Sequence, residues 1–233
     1  MKNDWQSTVL SQGFYDREPI TVAKELLGKF LVRKMGNSFL VGKITETEAY
    51  LSSGDSAAHN FKGQTKRNAS LYKSGGHAYV HSMRQYCLLD AVTEDSGKPG
   101  SVLIRSIEPI EGLAGLINGP GKVCRELNIT RTLDGIDMTN PDNELFISQG
   151  KDGGTYDITA SSRVGISTAK DMPLRFQIPM KNSKKSSGIS SKHLTELERN
   201  TLITSTGAST RLAGSKLSDK EVEQVANIVF VQK

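Results

Sequence analysis

Residues 30–50 read FLVRKMGNSFLVGKITETEAY, and the fold turns on how this stretch is read. Two apolar-rich runs flank Gly36-Asn37, which predicts two strands joined by a hairpin turn. Side chains alternate across a strand, so Glu46, Glu48 and Tyr50 are expected on one face, with Thr45, Thr47 and Ala49 on the other. Like charges two residues apart repel, and glutamate is a poor strand residue. A row of two carboxylates and a phenol therefore needs a reason other than strand stability.

Upstream, PITVAKELLGK (19–29) predicts a short helix with Val22, Leu26 and Leu27 as its apolar stripe and Gly28 at its C-terminal cap. Downstream, a polar loop runs to about Gly76, and strand-like runs follow at HAYVHSM (77–83), YCLLDAV (86–92), SVLIRSI (101–107) and LRFQI (174–178). GPGKVCREL (119–127) places Pro120 near a helix start. Short strands with a few helices and no repeat indicate an α+β class. From Lys181 the chain turns Ser/Lys-rich (KNSKKSSGISSK), the composition of a linker. It ends in a stretch where Ser218 and Glu221 fit a capping box and Val222, Val225, Ala226 and Val229 share a helical face. The expected division is thus a domain at 1–180 and a basic extension at 181–233 ending in a short amphipathic helix.

The 233 residues suffice for one good core plus an appendage. At 36% hydrophobic, the sequence has no run approaching a membrane span, and MKNDWQSTVL lacks the apolar middle of a secretory signal. Cys87 and Cys124 fit neither a metal pattern nor a disulfide framework, so both are read as reduced, buried thiols. The sequons at Asn68 and Asn128 are then chance matches, and an intracellular protein of the cytoplasm, nucleoid or nucleus is expected.

Of the net +5 charge, the segment from Lys181 onward holds +4, with nine Lys/Arg against five Asp/Glu. The preceding body is nearly neutral, yet no acidic residue occurs between Ser56 and Leu89, where Lys62, Lys66, Arg67, Lys73 and Arg84 fall with His59, His77 and His81. An acid-free basic stretch in a neutral body suggests a surface that meets a polyanion, with Lys66 and Arg67 as candidate contacts. GPGK is too short for a nucleotide-binding loop, and Val123 stands where Ser or Thr is required; free amides at a helix start facing a phosphate are the remaining reading.

Glu48 is the best candidate for a general base, because a strand aims a carboxylate rigidly and burial tunes it. Arg105, charged among apolar strand residues, calls for a carboxylate partner such as Glu48. Tyr50, His59 and His81 would add flat rings. A base ringed by aromatics beside a basic stretch suits a pocket for a nucleobase drawn out of a nucleic acid.

ITETEAY…AAHN, GGHAYVH, SVLIRSIEPIEG and NGPGKVC, together with VAKELLGKFLV, SSRVGI and LRFQI, resemble the alkyladenine (3-methyladenine) DNA glycosylase family, in the same order and over roughly Phe14 to Ile178. The resemblance implies a single mixed domain with a curved antiparallel sheet, no metal or other cofactor, and a monomer acting on damaged double-stranded DNA. It implies that the enzyme flips a damaged purine and hydrolyses its glycosidic bond. Glu48 then resembles the base that activates the water, Arg105 the arginine that holds it, and Tyr50 and His59 the walls of the base pocket. Glu46 matches no catalytic position and is expected in an ion pair at the strand edge.

Three departures bear on substrate range. His81 stands where the family usually has a stacking tyrosine. SMRQY replaces the turn whose tyrosine wedges into DNA, leaving Arg84 or Met83 as the wedge. Asp90 or Ala91 occupies the position of an asparagine that guards the pocket floor. A weaker wedge should favour lesions with an already labile bond, such as cationic 3-methyladenine, over neutral hypoxanthine or ethenoadenine. Two rival classes are a nucleic-acid-binding module of the same fold with weakened catalysis, and a nucleoside hydrolase. Glu48 and Arg105 argue against the first, and the basic stretch argues against the second, since a nucleoside offers no phosphate to Lys66 and Arg67.

Overall fold

The Gly36–Asn37 turn joins β1 (Phe30–Met35) to β2 (Ser38–Tyr50), with Phe30 opposite Lys43 and Met35 opposite Ser38. The protein is seen here in a computed structural model that describes residues 5–150 and 156–179. The chain divides into two units, Met1–Asn182 and Ser183–Lys233, and everything below concerns the first. The linker and capped helix expected from Lys181 onward lie outside the described residues.

After β1 and β2 come β3 (Ala78–Met83), β4 (Tyr86–Thr93), β5 (Gly100–Glu111), β6 (Ile117–Asn118), β7 (Leu145–Ser148), β8 (Thr159–Ser161) and β9 (Arg175–Gln177). They form one curled antiparallel sheet in the order β3-β4-β5-β2-β1-β7, with β6 on β5, β9 on β2 and β8 on β9. Three short helices, α1 (Gln12–Tyr15), α2 (Pro19–Leu26) and α3 (Pro120–Glu126), complete the described α+β body.

Helix α2 has the predicted stripe. Pro19 sits in its first turn, where a missing N–H costs nothing, and Val22, Ala23 and Leu26 are fully buried. Each large apolar side chain so buried contributes about 1.5–3 kcal/mol. Leu27 turns extended, and Gly28 follows at φ +84°, a backbone that favours glycine. One apolar cluster unites α2 with Leu31, Val41, Ile44, Ala49, Val102, Ile104 and Phe146. Thr47, on this core face of β2, donates its hydroxyl to the Ala23 carbonyl at 2.8 Å.

Charged pairs fix the register where apolar contacts alone would allow slippage. Lys43 lies opposite Glu108 on β5, with Nζ and Oε2 at 2.6 Å and both side chains buried. A one-residue slip would strand both charges in the interior, at far greater cost than the pair itself gains.

Two expectations need correction. Helix α3 has only seven residues; the Gly119 amide before it is given to the Arg105 carbonyl at 2.9 Å, and the Lys122 and Val123 amides go to the Gly119 carbonyl at 3.0 and 3.1 Å, so the helix start is not the row of free amides expected. Cys124 is buried, but Cys87 is only half-buried; both are free thiols.

Candidate active site

The strand pairings carry one row of residues across the sheet: Tyr79 opposite Asp90, Asp90 opposite Leu103, Leu103 opposite Glu48, and Glu48 opposite Arg175. Directly opposed residues share a face, so this row forms one wall. Two bulges aim it. Between Ile44 and Glu46 the register admits Thr45 as an extra residue on β2, and between Ile104 and Ser106 it admits Arg105 on β5. Counting back by strict alternation from Ile107, which is in the core, Arg105 would point inward. The bulge turns it towards the carboxylates instead.

Glu48 is completely buried. Its Oε1 accepts the Val164 amide at 2.8 Å, and its Oε2 accepts the Tyr50 hydroxyl at 3.1 Å and lies 3.2 Å from Arg105 Nη1. Burial raises its pKa above the ordinary carboxylate range; Arg105, the Val164 amide and the Tyr50 hydroxyl oppose that rise without cancelling it. Burial first, and Glu48 next, push the Tyr50 phenol far up, so it remains a donor to the carboxylate. Glu46 does form ion pairs, but not at an edge: it lies between β5 and β9, where its Oε1 accepts Arg105 Nε at 2.8 Å and Arg175 Nε at 2.6 Å. Arg105 is thus held by both carboxylates, and strand pairing explains why Glu46 is needed.

Beside this row opens a cavity of about 260 Å³. Tyr50, His59, Tyr79, His81 and Met83 line it, with Leu88, Asp90, Leu103 and residues 165–168. Tyr79 and His81 stack at 5.0 Å between ring centres, and His59 meets His81 edge-on at 4.5 Å. His59 Nδ1 is 3.0 Å from the Tyr79 hydroxyl. Burial, and next the facing His81, hold His59 below the ordinary imidazole value, so it is neutral near pH 7. Of the two residues aligned with the pocket floor, Asp90 lines the cavity and Ala91 is in the core.

One buried ion pair was not anticipated. Arg163 grips Asp55 through two bonds, Nη1 to Oδ2 at 2.6 Å and Nη2 to Oδ1 at 2.7 Å, with both side chains fully buried. Arg163 also donates to the Ala49 carbonyl at 3.1 Å, and its guanidinium lies 4.6 Å from the centre of the Tyr50 ring. The next residue supplies the amide to Glu48, and Gly165, at φ +79°, turns the chain along the cavity wall. The motif SSRVGI thus anchors the cavity wall beside Glu48, yet nothing in the sequence pairs Arg163 with a residue 108 positions away.

Lys66 and Arg67 are exposed on a loop fixed by Asn68. The buried Asn68 amide accepts the Thr65 amide and hydroxyl at 2.6 and 3.0 Å and donates to the His59 and Gly63 carbonyls at 3.0 Å. Its side chain is thereby fully engaged and has no room for a sugar. Arg67 lines a wider cavity of about 630 Å³ with Phe61, Lys62 and Arg131; this cavity shares His59, Tyr79 and His81 with the first. Lys66 is not among its lining residues. At the β3–β4 turn Met83 is 51% exposed and reaches the smaller cavity, whereas Arg84, at φ +56°, does not line it. Among the described residues no group of three or more His, Cys, Asp or Glu converges as metal ligands would, and no helix is long and apolar enough to cross a membrane.

The family model described as methylpurine-DNA glycosylase (MPG) matches residues 13–182. Three relatives share the name "Putative 3-methyladenine DNA glycosylase". That of Carboxydothermus hydrogenoformans is 38% identical over 190 residues, covering 76% of this chain and 97% of its own. That of Francisella tularensis subsp. tularensis is 41% identical over 174 residues, covering 68% and 89%. That of Methanocella arvoryzae is 40% identical over 181 residues, covering 72% and 89%. The family model and these relatives indicate a DNA-3-methyladenine glycosylase, a hydrolase of DNA repair. The chain belongs to the methylpurine-DNA glycosylase family.

Proposed function

We propose that the protein draws an alkylated purine, of the 3-methyladenine kind named for its relatives, out of duplex DNA and hydrolyses its N-glycosidic bond, leaving an abasic site. The observation that carries this reading is the buried Glu48 carboxylate, tied through the Tyr50 hydroxyl to a ring-lined cavity. Tyr79, His81 and Tyr50 offer flat faces to the extruded base. Glu48 Oε1 accepts one bond from Val164, and a carboxylate oxygen can accept a second, which this reading gives to the attacking water. As the base leaves with the bond electrons, the sugar carbon becomes cationic; the water attacks it and yields its proton to Glu48. Arg105 holds Glu48 Oε2 in place.

Single-turnover release of methylated purines from duplex oligonucleotides tests this directly; a wild-type chain that releases none from any lesion overturns it. Met83 is the better wedge candidate, since it is exposed and borders the cavity. A base stacked on an aromatic side chain gains roughly 1–3 kcal/mol, and an inserted thioether, making apolar contact only, should gain less, so Met83→Ala should slow release from duplex about three- to tenfold more than from single strands. Equal slowing on both would remove Met83 from that role.

DNA binding should weaken steeply with salt. Neutralising Lys66 and Arg67 should flatten the slope of log binding constant against log salt by about one unit for each phosphate that these side chains neutralise. An unchanged slope would place the phosphates on another face.

A further inference from the structure

Among the described residues that line the base cavity, Asp90 is the one Asp, Glu, Lys or Arg side chain. It is 4% exposed and sits mid-row between Tyr79 and Leu103. Ser101 donates to its Oδ1 at 3.3 Å, and His81 Nε2 lies 3.2 Å from its Oδ2, which has no well-aligned hydrogen bond. A buried carboxylate can only accept hydrogen bonds, and it brings a negative charge into a region of low dielectric. Its field reaches the neighbouring rings: after burial, Asp90 is among the causes that push the Tyr50 and Tyr79 hydroxyls up.

We propose that Asp90 is a specificity-determining residue, making the cavity select purine bases that carry a positive charge and disfavour neutral ones. This rests on the glycosylase reading above. The chemistry of departure gives the reason. A purine alkylated at a ring nitrogen is cationic while attached to the sugar; when the bond electrons move onto it, it leaves neutral. Beside Asp90 such a base is attracted on entry and gives up that attraction as it leaves neutral, so the carboxylate favours it in capture rather than in cleavage. A neutral purine, unless protonated first, gathers negative charge as it leaves, and that charge develops next to the carboxylate. The group placed to offset this is His81, and its Nε2 is directed to Asp90. Arg163, close behind Tyr50, has both terminal nitrogens committed to Asp55. The cavity is therefore discriminating by charge as well as by shape, which a wedge argument alone does not provide.

The test compares the second-order rate constant for release of 7-methylguanine, cationic in DNA, with that for neutral hypoxanthine from otherwise identical duplexes, in single turnovers with enzyme in excess but below saturation, so that capture of the base is included. Each rate is divided by the spontaneous rate of loss, so that bond lability drops out. The wild type should enhance the cationic release more, and Asp90→Asn, nearly the same shape without the charge, should narrow the ratio by about tenfold or more. An unchanged ratio in Asp90→Asn overturns the proposal. A second measurement needs no variant: the permanently cationic 3,9-dimethyladeninium should compete with damaged DNA at about tenfold lower concentration than neutral 9-methyladenine. Equal competition overturns the proposal even if Asp90→Asn fails to fold. A wild type that releases neither base yet prefers the cationic competitor would sink the glycosylase reading and leave the charge selection standing.

Discussion

Glu48→Gln is expected to lower base release by about 10²–10⁴-fold, the usual effect of losing a general base and roughly 3–5 kcal/mol of barrier. Binding to damaged DNA should hold, because glutamine keeps the shape and its oxygen can still accept the Val164 amide. The fold should hold as well. Burial is the largest influence on Glu48, and it opposes the charged form; a neutral amide removes that cost, while Arg105 retains Glu46 as a partner. Release at wild-type rates from the Gln variant would remove Glu48 from the role of base. The same burial sets the sign of the pH response. Glu48 acts as a base only when ionised, and its pKa lies above the ordinary carboxylate value. The rate should therefore fall on acidification at a higher pH than an exposed glutamate would give. The Gln variant should lack that acid limb.

Arg163→Met should destabilise the fold by about 3–5 kcal/mol, read as a lower urea midpoint, because it leaves the fully buried Asp55 without its counter-charge. Replacing Asp55 as well, with Leu, should restore a good part of the loss, as expected when most of it comes from one stranded charge. A single variant with the wild-type midpoint would show that Asp55 finds another partner. The pair also predicts acid sensitivity. Burial pushes Asp55 up, but Arg163 and the amides of Leu51 and Ala57 together outweigh it and hold the carboxyl below its ordinary value. A depressed carboxyl contributes stability above its unfolded pKa and loses it as pH falls through the folded one, so this contribution persists at neutrality and fades only in strong acid. Arg163→Met should also slow base release, since Val164 and Tyr50 both hold Glu48 and both adjoin this side chain.

The elements legible in the sequence were those with a local signature. The Gly36–Asn37 hairpin, the stripe of α2 and the strands around Tyr79, Leu89 and Ile104 follow from spacing, turn residues and apolar runs. Strand β7 was missed although Leu145, Phe146 and Ile147 form an apolar run, since a run of that length does not distinguish a strand from a loop entering the core. Within the site, Glu48, Tyr50, His59, His81 and Arg105 were all singled out, and the structure gathers them around one row and one cavity. The Asp55–Arg163 pair and the two bonds to Glu46 were not legible, because they join residues 59 to 129 positions apart. Bulges are invisible in the same way: an extra residue in one strand is defined only by its partner strand.

The bulge at Thr45 makes neighbouring codons unequal. Ile44 lies in the core and Glu46 on the opposite face because Thr45 is supernumerary. An in-frame deletion that removes Thr45 would leave plain alternation, with Ile44 inward and Glu46, Glu48 and Tyr50 still facing the cavity. The same lesion two codons later, removing Thr47, would drive Glu48 into the slot facing the Ala23 carbonyl and push Ala49 out to where a base would sit. Neither event alters a side chain of the site, yet one is a shortened strand and the other a reversed one. Tolerance to changes in length here depends on parity rather than on distance from the chemistry.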